Sequence, residues 1–192
     1  MNETKKTKEL RPEKAYKNLD FLNSTDARIL RILSEYLYPK KQLEEEKVKN
    51  TIVIFGSARA PSPEDLSSNT EEDKGKNKNL KLAEYYDATR ILSKRLSEWS
   101  KNLDKVDQKY VICSGGGPGI MKAANRGASE AGKKTVSLGI SLPFENSPNQ
   151  YVPQELNFEF HYLYKMQDKK LQKYFLTSKK LYFFYLESFL LK

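Results

Sequence analysis

The segment 110–122, YVICSGGGPGIMK, restricts this chain's fold more than any other. A short apolar run from Tyr110 to Cys113 passes through Ser114 into Gly115, Gly116 and Gly117, then Pro118 and Gly119, and then into a helical pattern. Glycines reach dihedrals that a Cβ forbids and let an anion approach the main chain closely. A helix start adds unpaired amides and the positive end of the helix dipole. The pattern therefore predicts a buried parallel strand that delivers a phosphate cradle to a helix start. It matches neither common nucleotide fingerprint. Gly115, Gly117 and Gly119 miss the G-x-G-x-x-G spacing, and the strand ending Leu138–Gly139–Ile140 offers no acid for a ribose diol. A P-loop fails at Ile120 and Met121. A purely mechanical turn is the competing reading. Three adjacent glycines raise the entropy cost of folding, which favours a ligand role.

The rest of the chain alternates between strand and helix patterns. Residues 1–20 are polar and loose. Ser24, Thr25 and Asp26 offer capping oxygens to a helix carrying Ile29, Leu30, Leu33, Tyr36 and Leu37 at helical spacing. This helix is expected to pack on the main domain or on a partner subunit, with a charged stretch, 40–50, leading out of it. Residues 51–55 read as a buried strand. The polar stretch 64–79 reads as a mobile surface loop. A helix over 80–100 presents Leu82, Tyr86, Thr89, Leu92, Leu96 and Trp99 as its packing stripe. After the glycine loop come a helix over 120–131 and a strand over 134–140. A Pro- and Asn-rich loop over 141–153, a helix over 158–177 and a strand over 180–185 follow. The crossovers are long enough for parallel strands, so the expected fold is a three-layer α/β sandwich. Its organisation is a polar extension over 1–49 with one amphipathic helix, followed by a nucleotide-binding domain over 50–192.

Composition narrows the function classes. The formal charge is +9 over 192 residues, but the lysines are interspersed with acids, as in EEEKVK and EEDKGKNK. A modest basic field suits a small phosphorylated ligand better than nucleic acid. No run approaches the roughly 18 apolar residues of a membrane span, and MNETKKTKELRPEK lacks the apolar core of a secretory signal. Cytoplasm is the expected location. Cys113 is the only cysteine and His161 the only histidine, so neither an intrachain disulfide nor a multi-histidine metal site is expected.

Candidate ligand residues cluster where strands end, since open parallel sheets bind ligands outside the carboxyl ends of their strands. Gly56–Ser57–Ala58–Arg59 closes the first strand and 114–119 closes the second. Arg59 could grip a phosphate bidentately, and the Ser57 and Ser114 hydroxyls could donate to it. Asn125 and Arg126 face either ligand or solvent. His161 either packs among aromatic neighbours or meets the substrate. Glu145 and Asn146, after the third strand, either shape a turn or reach a ribose or base.

Four segments, GSARAP at 56–61, GGGPGIMKAANRGASEAG at 115–132, LPFENSPNQY at 142–151 and FEFHYLYKM at 158–166, resemble in order and separation those of the LOG family of nucleoside 5'-monophosphate phosphoribohydrolases. The resemblance spans about residues 50–185 and points to the bacterial branch that cleaves AMP to adenine and ribose 5-phosphate. It implies a Rossmann-like fold, homo-oligomers and no redox cofactor. It places Gly115, Gly116, Gly117 and Gly119 at the nucleotide, Ser57 and Arg59 on the phosphate side, and Asn125 and Glu145 in the wider pocket. It also implies departures. Met166 stands where the family has a catalytic arginine, and neighbouring Lys165 lacks the planar fork and points elsewhere on a helix. Lys122 stands where many members have glutamate. The family's P-G-G-x-G-T-x-x-E loop, with its catalytic glutamate, does not follow the 180–185 strand, and Glu187 is a poor substitute. The expectation is a C-terminally incomplete relative with impaired hydrolysis and an uncovered aromatic tail. The alternatives are a non-catalytic nucleotide-binding protein and a truncated, non-functional product.

Overall fold

Strand β1, Asn50–Phe55, is the keystone of the sheet. Its run Asn-Thr-Ile-Val-Ile is buried throughout, as befits a parallel strand covered on both faces. In this computed structural model, which describes residues 12–68, 76–105, 108–140, 149–162 and 181–185, β1 pairs in parallel on both sides. On one side lies β2, Tyr110–Ser114, and beyond it β3, Thr135–Ile140, and β4, Asn157–Phe160. On the other side lies β5, Leu181–Tyr185. The order is β4-β3-β2-β1-β5, and every pairing is parallel.

The helices are α1, Leu19–Asn23; α2, Arg28–Glu45; α3, Pro63–Ser68; α4, Lys76–Lys101; and α5, Ile120–Glu130. On one face of the sheet Ile52, Ile54 and Ile112 pack against Tyr86 of α4 and Ile120, Ala123, Ala124 and Ala128 of α5. On the other face Val53, Cys113 and Val136 pack with Val152, Leu156, Phe158 and Phe160, flanked by Leu43 of α2. The result is a three-layer α/β sandwich of Rossmann-like type, as expected.

The two crossover helices meet closely because their shared face is made of small residues. A Cβ on Gly127 would lie 2.1 Å from the Arg90 carbonyl oxygen, and the Ser93 hydroxyl donates to the Ala124 carbonyl. Thr89, Ser93 and Ser97 of α4 are buried, and so is Ser100, which bonds the β2 backbone at Tyr110, whereas Leu92 and Trp99 of the expected stripe are exposed. Hydropathy misplaces this face because serine is polar by letter but small in volume. α5 ends in a Schellman motif. Gly132 N–H donates to Ser129 O and Lys133 N–H to Ala128 O, with Gly132 at φ 66°.

Four further expectations change. Residues 157–160 form an edge strand instead of opening a helix, so the strand at 181–185 is the fifth. Phe158 and Phe160 alternate with exposed neighbours at strand period, a pattern hidden in an aromatic-rich run. Part of the expected 64–79 loop is helix, with α3 at Pro63–Ser68 and α4 opening at Lys76. Ser62 and Asp65 supply a reciprocal cap for α3: Asp65 N–H donates to Ser62 Oγ, and Ser62 N–H to Asp65 Oδ2. α2 begins without a side-chain cap at Ala27 and runs through Pro39 to Glu45, into the stretch read as its charged exit. Residues 163–180, with Lys165 and Met166, and 186–192, with Glu187, lie outside the described residues.

Candidate functional site: the loops at the ends of β1 and β2

Going outward from β1 the chain places β2 on one side and β5 on the other, so the end of β1 lies where the strand order reverses. Such switch points are where doubly wound sheets bind ligands. β1 leaves the sheet at Gly56, whose absent side chain makes room for Ile120: a Cβ there would sit 2.6 Å from Ile120 Cγ2. Ser57 Oγ accepts the Arg59 N–H at 3.1 Å and so tightens the turn. The Ser57 carbonyl accepts the Ile120 N–H at 3.0 Å. Gly119 has φ 71° and ψ −134°, and a Cβ on it would lie 2.3 Å from that same carbonyl oxygen. The turn at 56–59 and the loop at 115–119 are thus locked together, with Ile120 filling the space beneath Gly56.

The glycine loop is held from behind. Ser114 is fully buried and donates its hydroxyl to Ile54 O at 2.6 Å, which commits its one proton to the sheet. Asn125, also fully buried, donates from Nδ2 to Gly115 O at 3.2 Å. Its Oδ1 lies 2.8 Å from Thr135 Oγ1, which is equally close to Ile112 O and serves one acceptor at a time. The peptide between Gly115 and Gly116 is planar and trans, so turning its C=O toward Asn125 turns the Gly116 N–H the opposite way. Gly116 sits hard against β3: a Cβ would lie 3.2 Å from both Gly139 Cα and Ser137 Oγ. Neither Gly116 nor Gly117 donates its amide to another described residue. The Ile120 amide is spent on Ser57, so Met121 and Lys122 are the first-turn donors of α5 left without a helical partner.

Electrostatics arm the walls. Arg126 pairs bidentately with Glu64, at 2.7 and 3.0 Å, and donates from Nε to Glu130 at 3.0 Å. Arg90 joins Glu130 at 2.8 Å and Asp87 at 3.0 Å, which ties α3, α4 and α5 into one ionic chain. The Arg126 guanidinium holds the Glu64 carboxyl down to about 2, and the pairing raises Arg126 in turn. The Arg126 guanidinium also lies 5.9 Å from the centre of the Tyr151 ring. Burial pushes the Cys113 thiol up to about 12, which removes it as a nucleophile at neutral pH.

The structure therefore brings Ser57, Arg59, Ser114, Gly115, Gly116, Gly117 and Gly119 to one edge of the sheet, with Asn125 behind them. Arg59 is exposed and pairs with no carboxylate among the described residues. Arg126 faces its acidic partners. His161 is exposed at the end of β4, its ring edge-on to Tyr162, and its main-chain N–H donates to Glu35 Oε1 at 3.0 Å. Glu145 and Asn146 lie outside the described residues. Sequence reasoning missed Ser137 and Gly139. Ser137 Oγ is buried beneath the loop without a hydrogen-bond partner among the described residues, and Gly139 lets the two backbones approach. A glycine inside a strand was the available signal.

No family model and no curated protein matches the chain. Its architecture is Rossmann-like and of the nucleotide-binding type. Among the described residues, no helix is long and apolar enough to cross a membrane.

Proposed function

We propose that this chain binds a nucleoside 5'-monophosphate, AMP foremost, and is a LOG-type phosphoribohydrolase with impaired hydrolysis. The observation that carries the reading is the lock between Gly119 and Ser57. It holds, beside the end of β1, a loop whose Gly116 and Gly117 amides have no described partner. In this reading the phosphate takes those amides and the positive end of α5. Ser57 and Gly119 shape the rim, and Arg59 closes a bidentate grip on two phosphate oxygens. Asn125 and Ser114 act through the backbone they hold, Asn125 by fixing Gly115 and Ser114 by tying the loop to β1. Glu145 belongs to the wider pocket, toward ribose and base.

The reaction would add water at the ribose anomeric carbon and break the N-glycosidic bond. The base leaves with a proton, and ribose 5-phosphate gains the hydroxyl. Positive charge grows on the ribose in the transition state, so a carboxylate beside it is required. Losing one such electrostatic group typically costs about 10²–10³ in rate. Met166 in place of arginine and Lys122 in place of glutamate support slow turnover. The expected partners are the nucleotide and further copies of this chain, with no specific nucleic acid.

Calorimetry tests the binding and chromatography the chemistry. AMP binds saturably to the intact chain, and Gly117→Asp and Arg59→Ala each weaken it by ten-fold or more. Equal affinities for parent and variants would reject the site. Adenine release no faster than the uncatalysed rate, with binding intact, favours the non-catalytic reading.

A further inference from the structure

Helix α2 has two opposite faces, because positions two apart on a helix lie about 200° apart. Arg31, Glu35 and Pro39 face the domain. Arg31 Nε donates to Tyr162 Oη at 2.6 Å, Glu35 accepts the N–H groups of His161 and Tyr162, and Pro39 is buried. Offset by two, Ile29, Leu33 and Leu37 form a second row at i, i+4 and i+8, and they are 76%, 48% and 49% exposed, with Leu30 beside them at 46%. The helix thus carries its aliphatic stripe on the side away from the sheet. This inverts the usual arrangement of a surface helix.

The charges at the two ends of that stripe specify what would cover it. Asp26, in the turn entering α2, stands seven residues before Leu33, and Lys40 stands seven after it. Both are exposed, and neither forms an ion pair with a described residue. If a second copy of α2 lies antiparallel across the first with Leu33 on the two-fold axis, Leu33 meets Leu33 and Ile29 meets Leu37. Asp26 then meets Lys40 at both ends. A parallel pairing would set Asp26 against Asp26 and Lys40 against Lys40, so the charges select the antiparallel arrangement. A two-fold interface uses one patch twice, and this patch is complementary to itself.

We propose that the outward face of α2 is a self-association surface, on which two copies of this chain pair antiparallel through Ile29, Leu33 and Leu37 with Asp26–Lys40 ion pairs at each end. The inference is independent of the nucleotide reading.

Sedimentation of the intact chain over a concentration series tests it, with circular dichroism as the control for folding. The parent sediments as a dimer at tens of micromolar, and Leu33→Asp is monomeric with its helix content intact. Asp26→Lys and Lys40→Asp each weaken association by roughly ten-fold, since two exposed pairs turn repulsive. The double variant D26K/K40D returns to near the parent. A short bis-maleimide joins L33C to itself, and joins I29C to L37C in a mixture more efficiently than either alone. Cys113 is buried and does not compete. Three results would overturn the proposal. One is a monomer across the series, whether Leu33 is covered by the chain's own segments or left open to another protein. Another is a dimer indifferent to Leu33→Asp. The last is a double charge reversal that fails to recover.

Discussion

Gly119 is where conformation, packing and the proposed site meet, and three glycine substitutions separate those contributions. At φ 71° and ψ −134° its backbone lies outside even the left-handed region that other residues visit, so Gly119→Ala costs about 2–3 kcal/mol in backbone strain. The new Cβ would also sit 2.3 Å from Ser57 O and 2.7 Å from Ala58 C. Both are main-chain atoms, so the 57–58 turn must retreat. That loses the Ile120 N–H bond to Ser57, worth about 1 kcal/mol. The sum is about 3–4 kcal/mol, a large share of a typical domain's 5–15 kcal/mol. Gly132 is the control. Its φ is 66°, but nothing lies within 4 Å of its Cβ position, so Gly132→Ala costs only about 1 kcal/mol of strain. Gly127→Ala is the reverse control: the helix accepts alanine, and the whole penalty comes from driving α4 away from α5. Urea midpoints at constant slope rank the three, and calorimetry with AMP follows them. Gly119→Ala should be destabilised by at least 2 kcal/mol more than Gly132→Ala and should lose nucleotide affinity, whereas Gly132→Ala keeps it. Equal midpoints for the two would refute the lock between the β1 turn and the start of α5.

Three further outcomes follow from buried or charged groups. Asn125→Ala removes the donor to Gly115 O from a fully buried site and should cost about 2 kcal/mol in urea unfolding, with weaker AMP binding because the loop loses its backing. Glu64 is held low, so its pairing with Arg126 stabilises the fold above the ordinary carboxylate range near pH 4.5, and the contribution fades as pH falls toward 2. Glu64 is 60% exposed, so the gap between parent and Glu64→Gln should be only about 0.5–1 kcal/mol at pH 7, shrinking from pH 4.5 toward pH 2. A gap that grows on acidification would reverse the sign of this argument. Cys113, buried with its thiol pushed up to about 12, should react with a disulfide reagent only at the rate of unfolding, and prompt labelling of the native chain would contradict its burial.

Much of the site was legible because glycine leaves a mark in sequence when the backbone needs it. The run at 115–119 announced a strand-to-helix transition, and GSAR at 56–59 announced a second strand end on the same edge. Their contact was not legible, since it depends on β1 and β2 being neighbours and on one carbonyl reaching the start of α5. Asn125 and Ser114 also changed character. Both carry side chains that bond equally well to a ligand or to backbone, and only burial decided for backbone. Arg126 stood between ligand and solvent until α3 brought Glu64 within 3.0 Å. Nothing in the 64–79 stretch, read as a polar loop, foretold it.

Periodicity and crossover length by themselves determined most of the alternation of strand and helix and the parallel sheet. These follow from local rules: residues that alternate or recur at 3.6 must face a common core, and glycine must supply forbidden dihedrals. Only tertiary structure decided which small polar faces close the gap between α4 and α5, that residues 157–160 serve as an edge strand, and that the aliphatic row of α2 points outward. Each of those depends on which surfaces lie within a few ångströms of one another. Distance across the fold is a property that no window of neighbouring residues contains.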